Sequence, residues 1–382
     1  MRVCVVYDCL FPHTVGGAER WYRNLAERLA AAGHDVTYLT LRQWDRGEDP
    51  GVPGVKVVAV APRMALYKAD GARRIAPPLA FGAGVLWHLL RHRRDYDVVH
   101  TASFPYFSLL AAGLLRRVGG YRLVVDWHEV WSGAYWREYL GERLGRVGEL
   151  VQRLCARADQ RAFCFSRLHA ERLRALGLRG EPTVLRGEWA GGLERPDPAP
   201  AGDTAVFAGR LIPEKQAPAV VGAVVSAAER RPGLRGAIYG DGPERAALAA
   251  EIERLDAAAV VSAHGFVATE ELDDALRHAL CLVLPSRREG YGMVIVEAAS
   301  LGVPSITSAG PDNAAVEHIE DGVNGFVAPS ASADDLAVAI VAVAERGAAL
   351  RESTADWFAA NAATLSIDGS LELVLASYSD AR

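Results

Sequence analysis

Lysine is almost missing from this sequence. It occurs only at Lys56, Lys68 and Lys215, and arginine carries the positive charge elsewhere. Cysteine is sparse, and Cys4, Cys9, Cys155, Cys164 and Cys281 form no Cys-x-x-Cys pair. That spacing excludes a zinc ribbon or a disulfide framework and fits small core residues of a reducing compartment. No apolar run reaches the roughly 18 residues that a membrane-crossing helix needs. A basic excess is also lacking, since the formal net charge is −5, which gives no support for nucleic acid as a main partner. After the first apolar strand, 3–7, there is no Gly-x-Gly-x-x-Gly turn. Pro12 and Gly16-Gly17 stand there instead, which counts against a nicotinamide-dependent dehydrogenase. Repeats and metal-ligand clusters are absent from the pattern as well, so no metal is expected. The chain runs directly into that strand without the features of a signal peptide, so the expected location is the cytoplasm. The weight of arginine and alanine points to a GC-rich coding sequence and an actinobacterial source.

What is present is a two-domain α/β pattern. At 382 residues, 50% hydrophobic and 23% charged, the chain is long enough for two cores. Short apolar strands alternate with helical periodicity from the first strand to the last, as in parallel sheets covered on both faces. Gly191-Gly192, Pro196, Pro198 and Pro200 concentrate turn residues between 187 and 203, the best boundary. The expected division is residues 1–186, a linker at 187–203, a second domain at 204–355, and terminal helices at 356–382.

The second domain carries the densest chemistry. In the stretch 285–302 a buried strand end runs into a loop containing Glu289, Gly290, Tyr291 and Gly292. A helix from about 293 to 301 follows, with Glu297 inside an otherwise apolar turn. Carboxylates among residues that favour burial need partners, and sugar hydroxyls are suitable ones. The two glycines let a ligand approach the amides that open the helix, where an anion is favoured. Upstream, the loop 209–215 reads Gly-Arg-Leu-Ile-Pro-Glu-Lys and sets Arg210 and Lys215 at a strand end. Together they supply the two charges that a diphosphate leaving group needs when no metal neutralises it. A surface pair between Glu214 and Lys215 is the plain alternative.

These motifs resemble the retaining GT-B glycosyltransferases of family 4. The likeness rests on the two acids eight positions apart, the Gly-Tyr-Gly between them, Gly302-Val-Pro304 after the helix, and the Gly-Arg-Leu-x-x-x-Lys loop. It covers essentially the whole chain, most closely 204–326. It implies two Rossmann-like doubly wound domains facing across a cleft, and transfer of a hexose from a nucleotide-diphosphate sugar, UDP-linked by family frequency, to an acceptor hydroxyl. The acceptor is a small molecule, a natural product or a glycan. By the same resemblance Glu289 contacts the donor sugar, Glu297 the ribose, and Gly290, Tyr291 and Gly292 the sugar and phosphate. Arg210 and Lys215 hold the diphosphate, Gly240 lies near the nucleoside, and Phe266 or Val267 packs on the base. Gly16 and Gly17 touch the donor phosphate or the acceptor, with turn geometry as the alternative.

His100 and His128 both end buried strands at the carboxyl edge, where ligands of open α/β sheets bind. The resemblance assigns His128 to the donor and acceptor, leaving His100 structural. Trp127, Trp131 and Tyr135 either wall the acceptor site or pack the first domain, since they fall at helical spacing with Tyr139. A helix over 79–94 ends in Arg91, Arg93 and Arg94. This fits closure of the helix dipole and packing on a sheet, or a peripheral contact with anionic lipid. Two further readings stay open: a nucleotide-sugar epimerase or hydrolase using Asp126 and Glu129, and a silent nucleotide-binding protein.

Overall fold

The computed structural model describes residues 1–45, 47–66 and 74–379. Two compact units divide the chain: residues 1–66, 74–188 and 370–379 belong to the first, and residues 189–369 to the second.

In the first unit β1 (Arg2–Val6), α1 (Gly17–Ala31), β2 (Asp35–Leu41), β3 (Val55–Ala61), α2 (Ala76–His92) and β4 (Val98–Ala102) alternate. They are followed by α3 (Tyr106–Gly119), β5 (Arg122–Trp127), α4 (Gly133–Ala156), β6 (Arg161–Cys164), α5 (Arg167–Leu176) and β7 (Thr183–Val184). The described strands form one parallel sheet in the order β3-β2-β1-β4-β5-β6-β7. β1 and β4 are buried throughout apart from Arg2, which is why they read as continuous apolar runs and not as alternating ones. Helices α2, α3 and α4 cover one face, closing a core around Phe81, Leu109 and Trp127. All five cysteines are free and buried, as small core residues.

The second unit repeats the plan. It contains β8 (Thr204–Ala208), α6 (Ala217–Arg230), β9 (Arg235–Tyr239), α7 (Arg245–Arg254), β10 (Val261–Gly265), α8 (Thr269–Arg277) and β11 (Cys281–Leu284). After these come β12 (Arg288–Glu289), α9 (Met293–Ala299), β13 (Ser305–Ser308), β14 (Asp312–Asn313), β15 (Gly325–Ala328) and α10 (Ala333–Leu365). Its main sheet runs β10-β9-β8-β11-β13-β15, and β12 pairs separately with β14. The helix α11 (Ile367–Ser379) belongs to the first unit from Ser370 onward.

Each sheet reverses its winding once, between β1 and β4 and between β8 and β11. At such a switch point the loops leaving two adjacent strands diverge and open a crevice for a ligand. The sequence pattern misses β15, because Asp321 to Gly325 reads as a turn that ends the sheet. Gly325 has φ 154, and a Cβ there would lie 1.8 Å from the Ser305 carbonyl oxygen. The glycine therefore marks close strand pairing, not only a turn. A helix starting at Asp312 is also not found. That segment forms β14 and then a 3-10 turn, Ala314–His318, capped by the Asn313 side chain.

Candidate active site

The second unit's switch point is formed by the loop after β8, residues 209–216, and the loop after β11, residues 285–292. Three contacts join them. The Arg287 amide donates to the Glu214 carbonyl at 2.8 Å, Arg288 Nη2 lies 4.0 Å from Glu214 Oε1, and Lys215 Nζ pairs directly with Glu289 Oε1. Lys215 thus pairs across the crevice with Glu289. Both side chains are largely withdrawn from water, at 18% and 11% exposure, so each supplies the counter-charge that the other needs.

Local structure fixes Glu289 on both sides. Its backbone pairs with Asn313 in the β12–β14 ladder, and the Ser286 hydroxyl donates to its carboxylate at 3.4 Å. Asn313 is buried. Its amide donates to Thr307 Oγ1 and the Ser308 carbonyl, and its Oδ1 accepts from the Ala315 amide. No motif flagged Asn313, although an Asn before a short helical turn is a recognisable capping signal. Gly292 opens α9 at φ 96, where a Cβ would sit 2.7 Å from that of Ala315. Tyr291 is buried and packs edge-on against His318, with ring centroids 4.4 Å apart. Glu297 is half-buried on α9, among Ile295, Val296, Ala298 and Ala299, which are buried.

Arg210 is exposed at the end of β8, and its guanidinium makes no ion pair with a described residue. Gly240 at φ 132 lets the turn after β9 press against the loop after β8, where a Cβ would meet the Gly209 carbonyl oxygen at 1.9 Å. Its glycine thus has a packing cause independent of any ligand. Phe266 is 83% exposed just beyond β10, whereas Val267 packs on the core. Sequence reasoning overlooked Tyr239 and His264, whose rings stack at 4.6 Å and 10° at the same carboxyl edge.

In the first unit His128 follows β5. Its ring stacks on Phe165 at 4.3 Å, lies edge-on to Tyr22, and places Nδ1 3.6 Å from Glu188 Oε1. The Nε2 atom is buried and has no hydrogen-bond partner among the described residues. Glu188 carried no sequence signal. Its carboxylate would lie 3.8 Å from a Cβ on Gly17, so Gly17 and His128 border the same acid. Gly16 caps α1 at φ −177, extended backbone that any residue adopts, but a Cβ would strike the Glu19 carboxylate at 2.3 Å.

His100 lies in the middle of β4 and not at its carboxyl end as the sequence pattern predicts. It is fully buried with Nε2 2.9 Å from Asp126 Oδ1 and Nδ1 2.6 Å from the Tyr378 hydroxyl, and Trp21 Nε1 donates to Asp126 Oδ2 at 2.7 Å. Burial alone would raise the Asp126 pKa, but the adjacent His100 outweighs it and holds the carboxyl below the usual range. This acid is therefore occupied. Glu129 likewise accepts from Trp131 Nε1 at 2.8 Å.

The aromatic segment needs a correction. Trp127 ends β5, ahead of α4, so its helical spacing to Trp131 and Tyr135 is coincidental. It is 0% exposed and spends its N–H on Gln160, which leaves no face for an acceptor. Tyr135 is also buried, at 4%, whereas Trp131 is partly exposed and packed by Phe104, Tyr135, Trp136 and Tyr139.

Comparison with known proteins covers both units. Residues 16–188 match the family model described as Glycosyl transferase 4-like domain, and residues 197–357 the one described as Glycosyl transferases group 1. Glycogen synthase of Mycobacterium tuberculosis is 28% identical over 331 residues, covering 81% of this chain and 78% of that protein. D-inositol 3-phosphate glycosyltransferase of Streptomyces avermitilis is 30% identical over 331 residues, covering 77% of this chain and 68% of its own length. Among solved structures, Anabaena HepE in complex with UDP and glucose superposes with a TM-score of 0.73 at 18% identity, over 100% of both chains.

Proposed function

We propose that this chain, which belongs to the group 1 glycosyltransferases of family GT4 and has the GT-B fold, moves a hexose from a nucleotide-diphosphate sugar to an acceptor hydroxyl. UDP is the preferred carrier, configuration at the transferred carbon is retained, and no metal is required.

The observation that carries this reading is the Lys215–Glu289 pair at the second unit's switch point. A donor entering there exchanges one pairing for two: the diphosphate takes Lys215, and sugar hydroxyls take Glu289. Arg210, exposed on the same edge, adds the second positive charge for the leaving diphosphate. Glu297 binds the ribose, the amides of Gly290 to Gly292 the sugar and phosphate, and Phe266 or Val267 the base. In the transfer the bond from the anomeric carbon to the diphosphate oxygen breaks while the acceptor oxygen bonds to the same face. The acceptor's proton passes to a phosphate oxygen. In the first unit, His128 and Trp131 contribute to the acceptor surface. UDP and glucose in the HepE complex support the choice of donor. Glycogen synthase and inositol-phosphate transferase among the relatives leave the acceptor as a hydroxyl-bearing small molecule, natural product or glycan. Because Asp126 and Glu129 are already engaged, nothing favours the epimerase reading.

A peripheral contact with anionic lipid through α2 belongs to the same proposal. Leu79, Trp87 and Leu90 are exposed there, and Arg91 lies 3.5 Å over the Trp87 ring. Sedimentation with phosphatidylglycerol vesicles tests it, and a protein left in the supernatant at low salt removes it.

The transfer itself is tested by incubating the protein with a panel of nucleotide sugars and hydroxyl acceptors in EDTA, followed by NMR of the product's anomeric proton. Nucleotide-diphosphate release with an inverted product would refute retention. Binding of nucleotide without turnover of any donor would favour the silent reading.

A further inference from the structure

The first unit's carboxyl edge holds a second concavity that the chemistry above does not use. A hollow of about 530 Å³ opens where β2 and β3 end, walled by Trp44 and the backbone of residues 59–62, with Arg42 and Arg63 on its lining. A smaller hollow of about 140 Å³ lies against the same two arginines and adds His13 and Thr14. The hollow lies on the carboxyl edge of the sheet, beside the switch point between β1 and β4.

Charge there is out of balance. Asp45 pairs with Arg63 at 3.0 Å, while Arg42 is half-buried and makes no ion pair with a described residue. Among the described residues two guanidinium groups stand against one carboxylate, and the guanidinium of Arg42 offers a fork that matches an oxyanion in plane and charge. Trp44, half-buried, offers an apolar face of the kind that packs on the C–H side of a sugar or cyclitol ring.

The rim is also held in place before any ligand arrives. Gln43 Oε1 accepts from the Leu10 amide and the Thr14 hydroxyl, while its amide donates to the Asp8 and Leu41 carbonyls. Arg23 binds the carbonyls of Phe11 and Gly51 at 2.8 Å each. The loop carrying His13 is thereby tied to the end of β2, which lowers the ordering cost of binding.

We propose that this hollow receives an anionic group, a phosphate monoester or a carboxylate, carried by the acceptor. The inference rests on the transfer reading above and narrows it to acceptors that carry an acid remote from the reacting hydroxyl, because the hollow and His128 stand three strand spacings, roughly 15 Å, apart in the sheet: Arg42 and Arg63 hold the anion, and Trp44 lines the ring that bears it.

Calorimetry on the full chain with glucose 6-phosphate, glucuronate, glucose and UDP separates the outcomes. Glucose 6-phosphate or glucuronate should bind where glucose does not, and whichever binds identifies the anion. Arg42→Gln and Arg63→Gln should each weaken that ligand about tenfold, the loss of one charge-assisted bond. Asp45→Asn should tighten it, which a merely structural role of Asp45 does not foretell. UDP affinity should stay unchanged in all three variants. Equal affinity for glucose and both acids, indifference to Arg42→Gln, or displacement of the sugar acid by UDP would each overturn the proposal. Sugar-acid binding in a protein that fails to bind UDP would leave the anion site standing and remove the transfer reading instead.

Discussion

Lys215 and Glu289 close on each other from two loops that leave adjacent strands, β8 and β11, and this ion pair holds the crevice of the second sheet. Lys215 ends a 3-10 turn, Pro213–Lys215, and Glu289 is fixed by a two-residue ladder with β14. On the proposed reading, opening the pair to admit a donor exposes a cation to phosphate and a carboxylate to hydroxyls in one motion.

If the proposed transfer holds, Lys215→Ala and Glu289→Ala should each lower kcat/KM by about two orders of magnitude or more, because each then removes a group used in the transition state. Circular dichroism should remain that of the wild type. The pairing adds a sharper expectation: the double variant should lose clearly less than the two single losses combined, since each single variant also strands its partner's charge. Strict additivity in the cycle would mean that the two side chains work apart.

Glu297→Ala is expected to weaken the free nucleotide about tenfold, as loss of a charged hydrogen-bond acceptor does. The residue is half-buried on a helix turn whose other members face the core, so the helix itself should persist. An unchanged dissociation constant for UDP by calorimetry would take the ribose away from this acid.

The architecture was legible because both sheets are parallel and buried on two faces, which writes apolar strands and amphipathic helices plainly into the chain. The acids of 289 and 297 and the loop of 209–215 were legible because their glycines and charges break an apolar background. What stayed hidden depends on partners distant in sequence. Nothing near Lys215 indicates Glu289 as its mate, nothing around His128 announces Glu188, and Asp126 reads as a free acid until His100, Trp21 and Tyr378 close on it. Trp127 misled for the opposite reason, since a helical spacing extends across the end of a strand.

The two tryptophans should separate in experiment. Trp127→Phe removes buried volume and leaves Gln160 without its donor, so it should destabilise the fold by about 1–3 kcal/mol while leaving the acceptor KM unchanged. Trp131→Ala should raise the acceptor KM with a smaller effect on urea midpoint. The reverse pattern would return Trp127 to the binding surface.

Acid should weaken the first unit through His88. This ring accepts or donates one hydrogen bond with the Tyr96 hydroxyl at 2.7 Å, and burial, the neighbouring His92 and Lys56 lower its pKa from 6.5 to about 4. The unfolded chain takes up a proton below about 6.5 that the folded chain refuses, so stability is full above that value and declines as pH falls toward 4. Asp126, whose pKa is also lowered, acts only further into acid, below the ordinary 3.8 of a free carboxyl, so the two effects occupy different windows. Urea midpoints measured between pH 7 and 4 should therefore fall more steeply in the wild type than in His88→Gln, which has no proton to refuse. Parallel curves for the two proteins would show that His88 is not the group that titrates.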